Sequence, residues 1–303
     1  MIKSFTLTAL FVTIAGIAAA HAPVSPAASG APTASATQKS TSDRAPEFKR
    51  VMTIILENTN YEAALKQPFL SSLATRGAVL TRFGAEAHPS QPNYIALVSG
   101  STHGVDSDAN VNLDVKHIGD LLETKGRQWK VYAEDYPGNC FLGARSQGYV
   151  RKHLPFLSFK DVQTKPERCA RIVNADQLSR DIQSGNLPDY SLYIPNLDND
   201  GHDTGVNYAD RWLSKRFGPL LNNAAFTKGL LLIVTFDETD LDEQTPPSNH
   251  ILTVLIGDSV QPGSKSDRLY DHYSLLRLVE DRFDLGHLTA NDAGAAPIAG
   301  IWK

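Results

Sequence analysis

The stretch Val51-Met52-Thr53-Ile54-Ile55-Leu56-Glu57-Asn58 decides the fold. Five of its first six residues are apolar and they do not alternate with polar ones. That is the signature of a strand buried on both faces, as in a parallel sheet covered by helices. The run ends abruptly on Glu57-Asn58, two oxygen-bearing side chains. A second run of the same kind, Leu230 to Phe236, ends on Asp237-Glu238. Open α/β sheets gather their ligand sites at the carboxyl ends of the strands. The two polar strand ends are therefore expected to meet over one metal ion.

Working outward from this strand, the punctuation alternates between strand and helix. Pro68 to Gly77 reads as a helix with proline near its start and glycine at its stop. Ala78 to Phe83 reads as a strand, and Pro92 to Gly100 as a helix with Ser90 at its N-terminal end. A helix is expected from about Val115 to Lys125, with Asp114 as its cap. Trp129 to Glu134 and Tyr190 to Ile194 follow as strands, with Ala175 to Gln183 helical between them. Pro137 to Pro166 reads as an irregular insertion. A longer helix is expected from Val206 to Asn222, a strand from Ile251 to Ile256, and a last helix from His272 to Asp284. This alternation predicts an α/β class, three-layer α/β/α sandwich with a mostly parallel central sheet.

The chain has 303 residues, enough for a sizeable core, and its 42% hydrophobic and 20% charged content is that of a globular domain. The net charge of -4 offers no basic field for nucleic acid. Residues 1–20 read as a secretory signal peptide: Lys3 precedes the apolar run Phe5 to Ile17, and Ala18 to Ala20 form a small-residue cleavage site. The apolar run is shorter than the ~20 residues of a membrane span, so no stable insertion is expected after cleavage. Residues 21–46, rich in Ala, Pro, Ser and Thr, read as a flexible tether, and 47–303 as a single catalytic domain. The expected location is secreted or periplasmic. There Cys140 and Cys169, the two cysteines of the chain, would pair.

Several familiar motifs are absent: GxGxxG, GxxxxGK[ST], HExxH and GxSxG. What remains is a set of polar loops at strand ends. Glu57, Asn58, Asp237 and Glu238 are hard oxygen donors, which suit Ca, Mg or Mn ions better than a thiolate set would. A serine at a helix N-terminus, such as Ser90, is either a cap or a nucleophile whose alkoxide a cation would stabilise. Asn93, one turn on, carries an amide that would reach a phosphoryl oxygen. Asn196 to Gly201 partly imitates a calcium loop, but Asn occupies its first position and Asn207 its twelfth, so an EF-hand is not expected. His202 at its tip reads as an acid for a leaving oxygen. Lys152-His153 would bring positive charge over the site. His272 opens the last helix, where a cation needs an acidic neighbour. His88, His103, His117 and His287 read as structural.

Taken in order, these loops resemble the bacterial phosphoesterase family of secreted acid phosphatases and phospholipases C, within the alkaline phosphatase superfamily. The resemblance rests on Glu57-Asn58, on Ser90-Gln-Pro92-Asn93, on Lys152-His153-Leu-Pro155-Phe156 and on Asn199-Asp200-Gly201-His202-Asp203. It extends through Thr235-Phe-Asp237-Glu238 and His272-Tyr-Ser-Leu-Leu-Arg277. It implies an alkaline-phosphatase-like fold and one divalent metal ion (Ca, Mg, Mn or Zn) held by Glu57, Asn58, Asp237, Glu238 and the Ser90 hydroxyl. Ser90 would be the nucleophile, forming a phosphoserine intermediate, with Asn93, His153 and His202 around the phosphoryl group. The expected activity is a metal-dependent acid phosphatase acting on small phosphorylated substrates. A phospholipase C-type phosphodiesterase, a serine esterase using Ser90 and His202, and a non-catalytic metal-binding protein stay open as alternatives.

Overall fold

The computed structural model describes residues 48–240 and 248–303. The expected signal peptide (1–20) and tether (21–46) lie outside the described residues. Among the described residues the strands are β1 (Arg50–Leu56), β2 (Ala78–Phe83), β3 (Trp129–Ala133), β4 (Arg145–Ser146), β5 (Tyr149–Val150), β6 (Ile172–Asn174), β7 (Tyr190–Ile194), β8 (Leu230–Phe236), β9 (Thr253–Gly257) and β10 (Ser264–Tyr270). Eight of them form one sheet in the order β10-β2-β9-β8-β1-β7-β3-β6, while β4 and β5 make a separate hairpin. Every pairing in the large sheet is parallel except the two made by β9. Seven strands thus point one way, and helices cover the sheet in three α/β/α layers.

The two decisive runs are the centre of this sheet. β1 lies between β7 and β8, in register from Arg50↔Leu230 to Leu56↔Phe236. Val51 to Leu56 and all of β8 are buried. Each fully buried aliphatic side chain there contributes about 1.5–3 kcal/mol relative to exposure. Because the register is fixed over seven residues, Glu57 and Asp237 emerge side by side, and the Asp237 amide donates to the Leu56 carbonyl at 3.0 Å.

Some boundaries differ from those the sequence suggests. The helix expected from Val115 begins at Ile118, and its cap is His117 rather than Asp114. His117 Nδ1 accepts from Gly119 N at 3.0 Å, and the His117 amide donates to Asp120 at 2.9 Å. The helix from Val206 ends at Phe217, ahead of Pro219, whose ring cannot continue it; a short 3-10 turn, Leu220–Asn222, follows. The strand expected at Ile251 starts at Thr253 and runs antiparallel. Within the 137–166 insertion, the β4–β5 hairpin and two 3-10 turns carry Arg151 to Ser158 inward. Cys140 and Cys169 form a disulfide across this insertion.

The C-terminal segment is tied to the rest by a buried carboxyl pair. Glu280, on the helix His272–Phe283, faces Asp292, which accepts from Leu288 N, Thr289 N and Thr289 Oγ1. Glu280 Oε2 meets His287 Nδ1 at 2.9 Å, but Oε1 has no donor. A proton on Oε1 is what allows it to face Asp292. Burial, then the Asp292 charge, push the Glu280 carboxyl up to about 9. Its native pKa thus exceeds its unfolded one, so the native state binds the extra proton. The associated stability is complete below about pH 4 and drains away as the pH rises toward 9. Gln presents a similar donor with no proton to lose. Between about pH 5 and pH 9 the wild-type melting temperature is expected to fall by about 5 °C or more beyond any fall of Glu280→Gln, read by thermal unfolding at each pH.

Candidate active site

The helix Ser90–Ser99 is buried along its whole length and begins at Ser90 itself. Pro92 sits inside the first turn, where its missing N–H would have had no intrahelical partner. The Ser90 side chain does not cap its helix. The Gln91 amide is instead capped by Asp108 Oδ1 at 3.0 Å. At the far end Gly100, at φ 72°, closes the helix in a left-handed conformation. A side chain there would meet Asp292 Oδ1 at 2.3 Å.

Freed from capping, the Ser90 hydroxyl turns to the strand ends. Its Oγ lies 3.2 Å from Glu57 Oε2 and 2.9 Å from Glu238 Oε1, one proton facing two acceptors. Both carboxylates and the serine are buried. The chain turns sharply after β1 through Asn58, at φ 44°, a region asparagine tolerates better than most residues. That turn lets the Asn58 amide donate to Asp237 Oδ1 at 3.2 Å. Asp237 Oδ2 is buried with no hydrogen-bond partner. The structure thus brings the side chains of Glu57, Ser90, Asp237 and Glu238 together on the carboxyl edge of the sheet, with the Asn58 backbone bonded to Asp237 and Asn58 lining the mouth above them.

Two further residues join this cluster. Tyr94, one helical turn beyond Ser90, donates its hydroxyl to Glu57 Oε1. Asp200 is buried in the loop after β7; its Oδ1 accepts from His202 N at 2.8 Å, while Oδ2 is left without a donor. His153 is packed between them, stacked on the Tyr94 ring. Its Nε2 lies 3.3 Å from Glu57 Oε1 and its Nδ1 3.4 Å from Asp200 Oδ2, neither aligned as a hydrogen bond. Glu57, His153 and Asp200 form a group whose ligand atoms all lie within 4.8 Å of one another. The loop carrying Asp200 is not an EF-hand: Asn196 Oδ1 accepts from Asn199 N, and the Asn199 amide donates to Glu134.

The electrostatics of the cluster are those of carboxylates resisting ionisation together. Burial, then Asp237 and Asp200, hold Glu57 well above the usual carboxylate range. Burial and then Glu238 push Asp237 up to about 7. Burial is the first cause for Asp200 and Glu238 as well. Burial, then Lys152 and His202, hold His153 well below the ordinary histidine range. Such groups gain from a divalent cation, which favours the charged carboxylates and the neutral imidazole. The unpartnered Asp237 and Asp200 oxygens and the all-oxygen character of the strand ends fit that ion.

The remaining candidates occupy different places. His202 stands at the mouth, partly exposed, with Nδ1 2.7 Å from Asp203 and its ring 5.9 Å from that of His153. His88 shares the mouth; its Nδ1 contacts Glu238. Lys152 Nζ bonds Asp108 at 2.7 Å, linking the insertion to the start of the Ser90 helix. Asn93 does not point its amide into the site. Its Oδ1 accepts from Glu86 N and Ala87 N, and its Nδ2 donates to Ala87 O at 2.8 Å, so it shapes the loop leading to Ser90. His272 is buried against Glu86, on that same loop, rather than against Asp271, which caps the helix. Tyr94 and Asp200 are not assigned a role by the sequence: one follows Asn93 in an apolar helix, and the other stands in the loop that only partly imitates a calcium site.

The sequence profile of the phosphoesterase family matches residues 42–286. The chain is 38% identical over 260 residues to a probable acid phosphatase of Kluyveromyces lactis, covering 82% of this chain and 61% of that protein. It is 33% identical over 262 residues to a phosphatidylinositol-3-phosphatase of Mycobacterium tuberculosis, covering 85% and 84%. The chain spans 58–62% of the length of the acid phosphatases it matches. In fold it is similar to a protein of the alkaline phosphatase superfamily from Vibrio parahaemolyticus, with a TM-score of 0.58 at 14% identity, covering 85% of this chain and 72% of that one. The serine-headed helix facing two acidic strand ends, and a profile match that takes in all of them, make this chain a member of the phosphoesterase family.

Proposed function

We propose that the protein is a secreted or periplasmic, metal-dependent phosphomonoesterase of the acid phosphatase type, acting through a phosphoserine intermediate on small phosphorylated substrates. One observation carries the reading: the buried Ser90 hydroxyl, at a helix N-terminus, faces carboxylates from two separate strand ends. Glu57, Asn58, Asp237, Glu238 and the Ser90 oxygen would hold one divalent ion, of the Ca, Mg, Mn or Zn class. When bound, that ion supplies positive charge that favours the serine alkoxide and offsets charge on the phosphoryl group.

The side chains divide the remaining work. Ser90 Oγ, having released its proton to solvent as the alkoxide forms, bonds to phosphorus as the bond to the leaving alcohol breaks, and takes a proton back when phosphate leaves. The exposed His202 gives that alcohol its proton, then takes one from the water that cleaves the phosphoserine. His153 is fixed by Tyr94 stacking beside the reacting group. Asn93 acts through the loop it holds. Lys152, pinned by Asp108, keeps a cation near the developing charge.

A phosphodiesterase of the phospholipase C type would use the same nucleophile. The site's mouth favours monoesters: it is lined by Asn58, His88, His202, Asp203 and Glu238, with no large apolar side chain among the described residues. Purified protein with added divalent ion is expected to hydrolyse p-nitrophenyl phosphate and leave p-nitrophenylphosphorylcholine largely intact. Turnover of the diester alone would overturn the monoesterase reading.

A further inference from the structure

We infer that His272 and Glu86 form a buried positioning pair that locks the nucleophile loop to the acidic end of β8, and so sets where Ser90 stands relative to Asp237 and Glu238. The inference rests on the function proposed above. It concerns two residues that do not themselves face the reacting group.

The contacts form one unbroken path. Asn93, on the first turn of the Ser90 helix, accepts from the Glu86 amide at 2.9 Å. The Glu86 carboxylate takes His272 from two sides: Oε1 accepts the His272 backbone N–H at 2.9 Å, and Oε2 lies 2.5 Å from Nδ1. On the far side of the ring, Nε2 lies 3.0 Å from the carbonyl oxygen of Phe236, the residue before Asp237. Both ring partners are acceptors, so both ring nitrogens must donate, and the ring is an imidazolium. Phe83 packs edge-on against it at 5.5 Å. Burial works against the charge, but Glu86 outweighs it and holds His272 above the ordinary histidine range.

This explains a cation at a helix N-terminus, where the dipole disfavours one. The pair spans two arms of the site, which are also joined by Ser90, by His88 against Glu238 and by Asn249, whose amide donates to Ala87 O while its Oδ1 accepts from Thr239 N. A metal ligand's carbon frame is held by what surrounds it, and outer contacts of this kind commonly change metal affinity or activity by about 10- to 100-fold. The pair is thus a positioning device, acting on Ser90 through Asn93 and on Asp237 through Phe236.

The test is a double-mutant cycle in the full-length protein: His272→Gln, Glu86→Gln and the double variant, each checked for folding by near-UV circular dichroism. His272→Gln keeps a side-chain donor for Phe236 and leaves Glu86 only the backbone N–H; Glu86→Gln retains shape without charge. Each single variant is expected to lower kcat on p-nitrophenyl phosphate by about 10- to 100-fold with KM within about threefold of wild type. The double variant is expected to lose little more than either single, because both break one unit. Manganese titration by calorimetry is expected to show matching, non-additive weakening. Folded variants that keep kcat and manganese affinity within about twofold of wild type, or whose losses simply multiply, would overturn the pair as a unit. A loss of kcat that only tracks the folded fraction would do the same. Should the wild type hydrolyse no phosphoester, the proposed function falls, and the cycle is then decided on manganese affinity alone.

Discussion

Ser90→Ala is expected to lower kcat on phosphate monoesters by about 10⁴-fold or more while the fold persists. The expectation follows from what the hydroxyl does. It does not cap its helix, and its contacts are with Glu57 and Glu238. Losing it removes one proton shared between two acceptors, a stability change of about 1–2 kcal/mol. The chemistry, by contrast, loses its nucleophile outright. Steady-state kinetics and thermal unfolding on the same preparation separate the two effects. Divalent-ion binding is expected to survive, because Glu57, Asn58, Asp237 and Glu238 remain. A variant that keeps wild-type turnover would remove Ser90 from the mechanism. A wild type that binds metal but hydrolyses nothing would favour the non-catalytic alternative.

Metal removal carries the second large effect. Chelation with EDTA is expected to reduce activity by about 10³-fold or more, with recovery on adding back a divalent ion. It is also expected to lower the melting temperature. An ion that binds only the native state adds about 2.7 kcal/mol at one hundred times its dissociation constant, and the cluster it would relieve contains buried carboxylates that burial raises, with Asp237 and Asp200 raising Glu57 further and Glu238 raising Asp237. A titration of melting temperature against Ca, Mg, Mn and Zn ions ranks the metals without reference to any substrate. Activity indifferent to EDTA would point to the serine esterase alternative, in which Ser90 and His202 work without an ion.

The central strands were readable because they are buried on both faces. β1 and β8 have no reason to carry polar residues until they leave the sheet, so their acidic ends stand out in the sequence. β10 was not readable. It is an edge strand with Ser, Lys, Asp and Arg facing out, and only Ser266 and Tyr270 are buried. The same logic governs the site. Glu57, Asp237 and Glu238 announce themselves by ending apolar runs, and Ser90 by opening a helix. Asp200 does not, because it follows no apolar run and stands in a loop that reads as a broken calcium motif, with nothing in the sequence to bring it beside Glu57. Asn93 shows the opposite limit. Its place next to Ser90 is legible, but the backbone donors of Glu86 and Ala87 that take up its oxygen are a property of the folded loop. Glu86 gives no signal at all until His272, 186 residues later, is placed beside it.

The reversal at β9 has a consequence for how such a chain can diversify. β8 runs toward the reactive rim and β9 runs back from it, so the connection after Glu238 leaves and re-enters the framework on the same side. A change in its length therefore requires no crossing over either helical layer and no new pairing partner in the sheet.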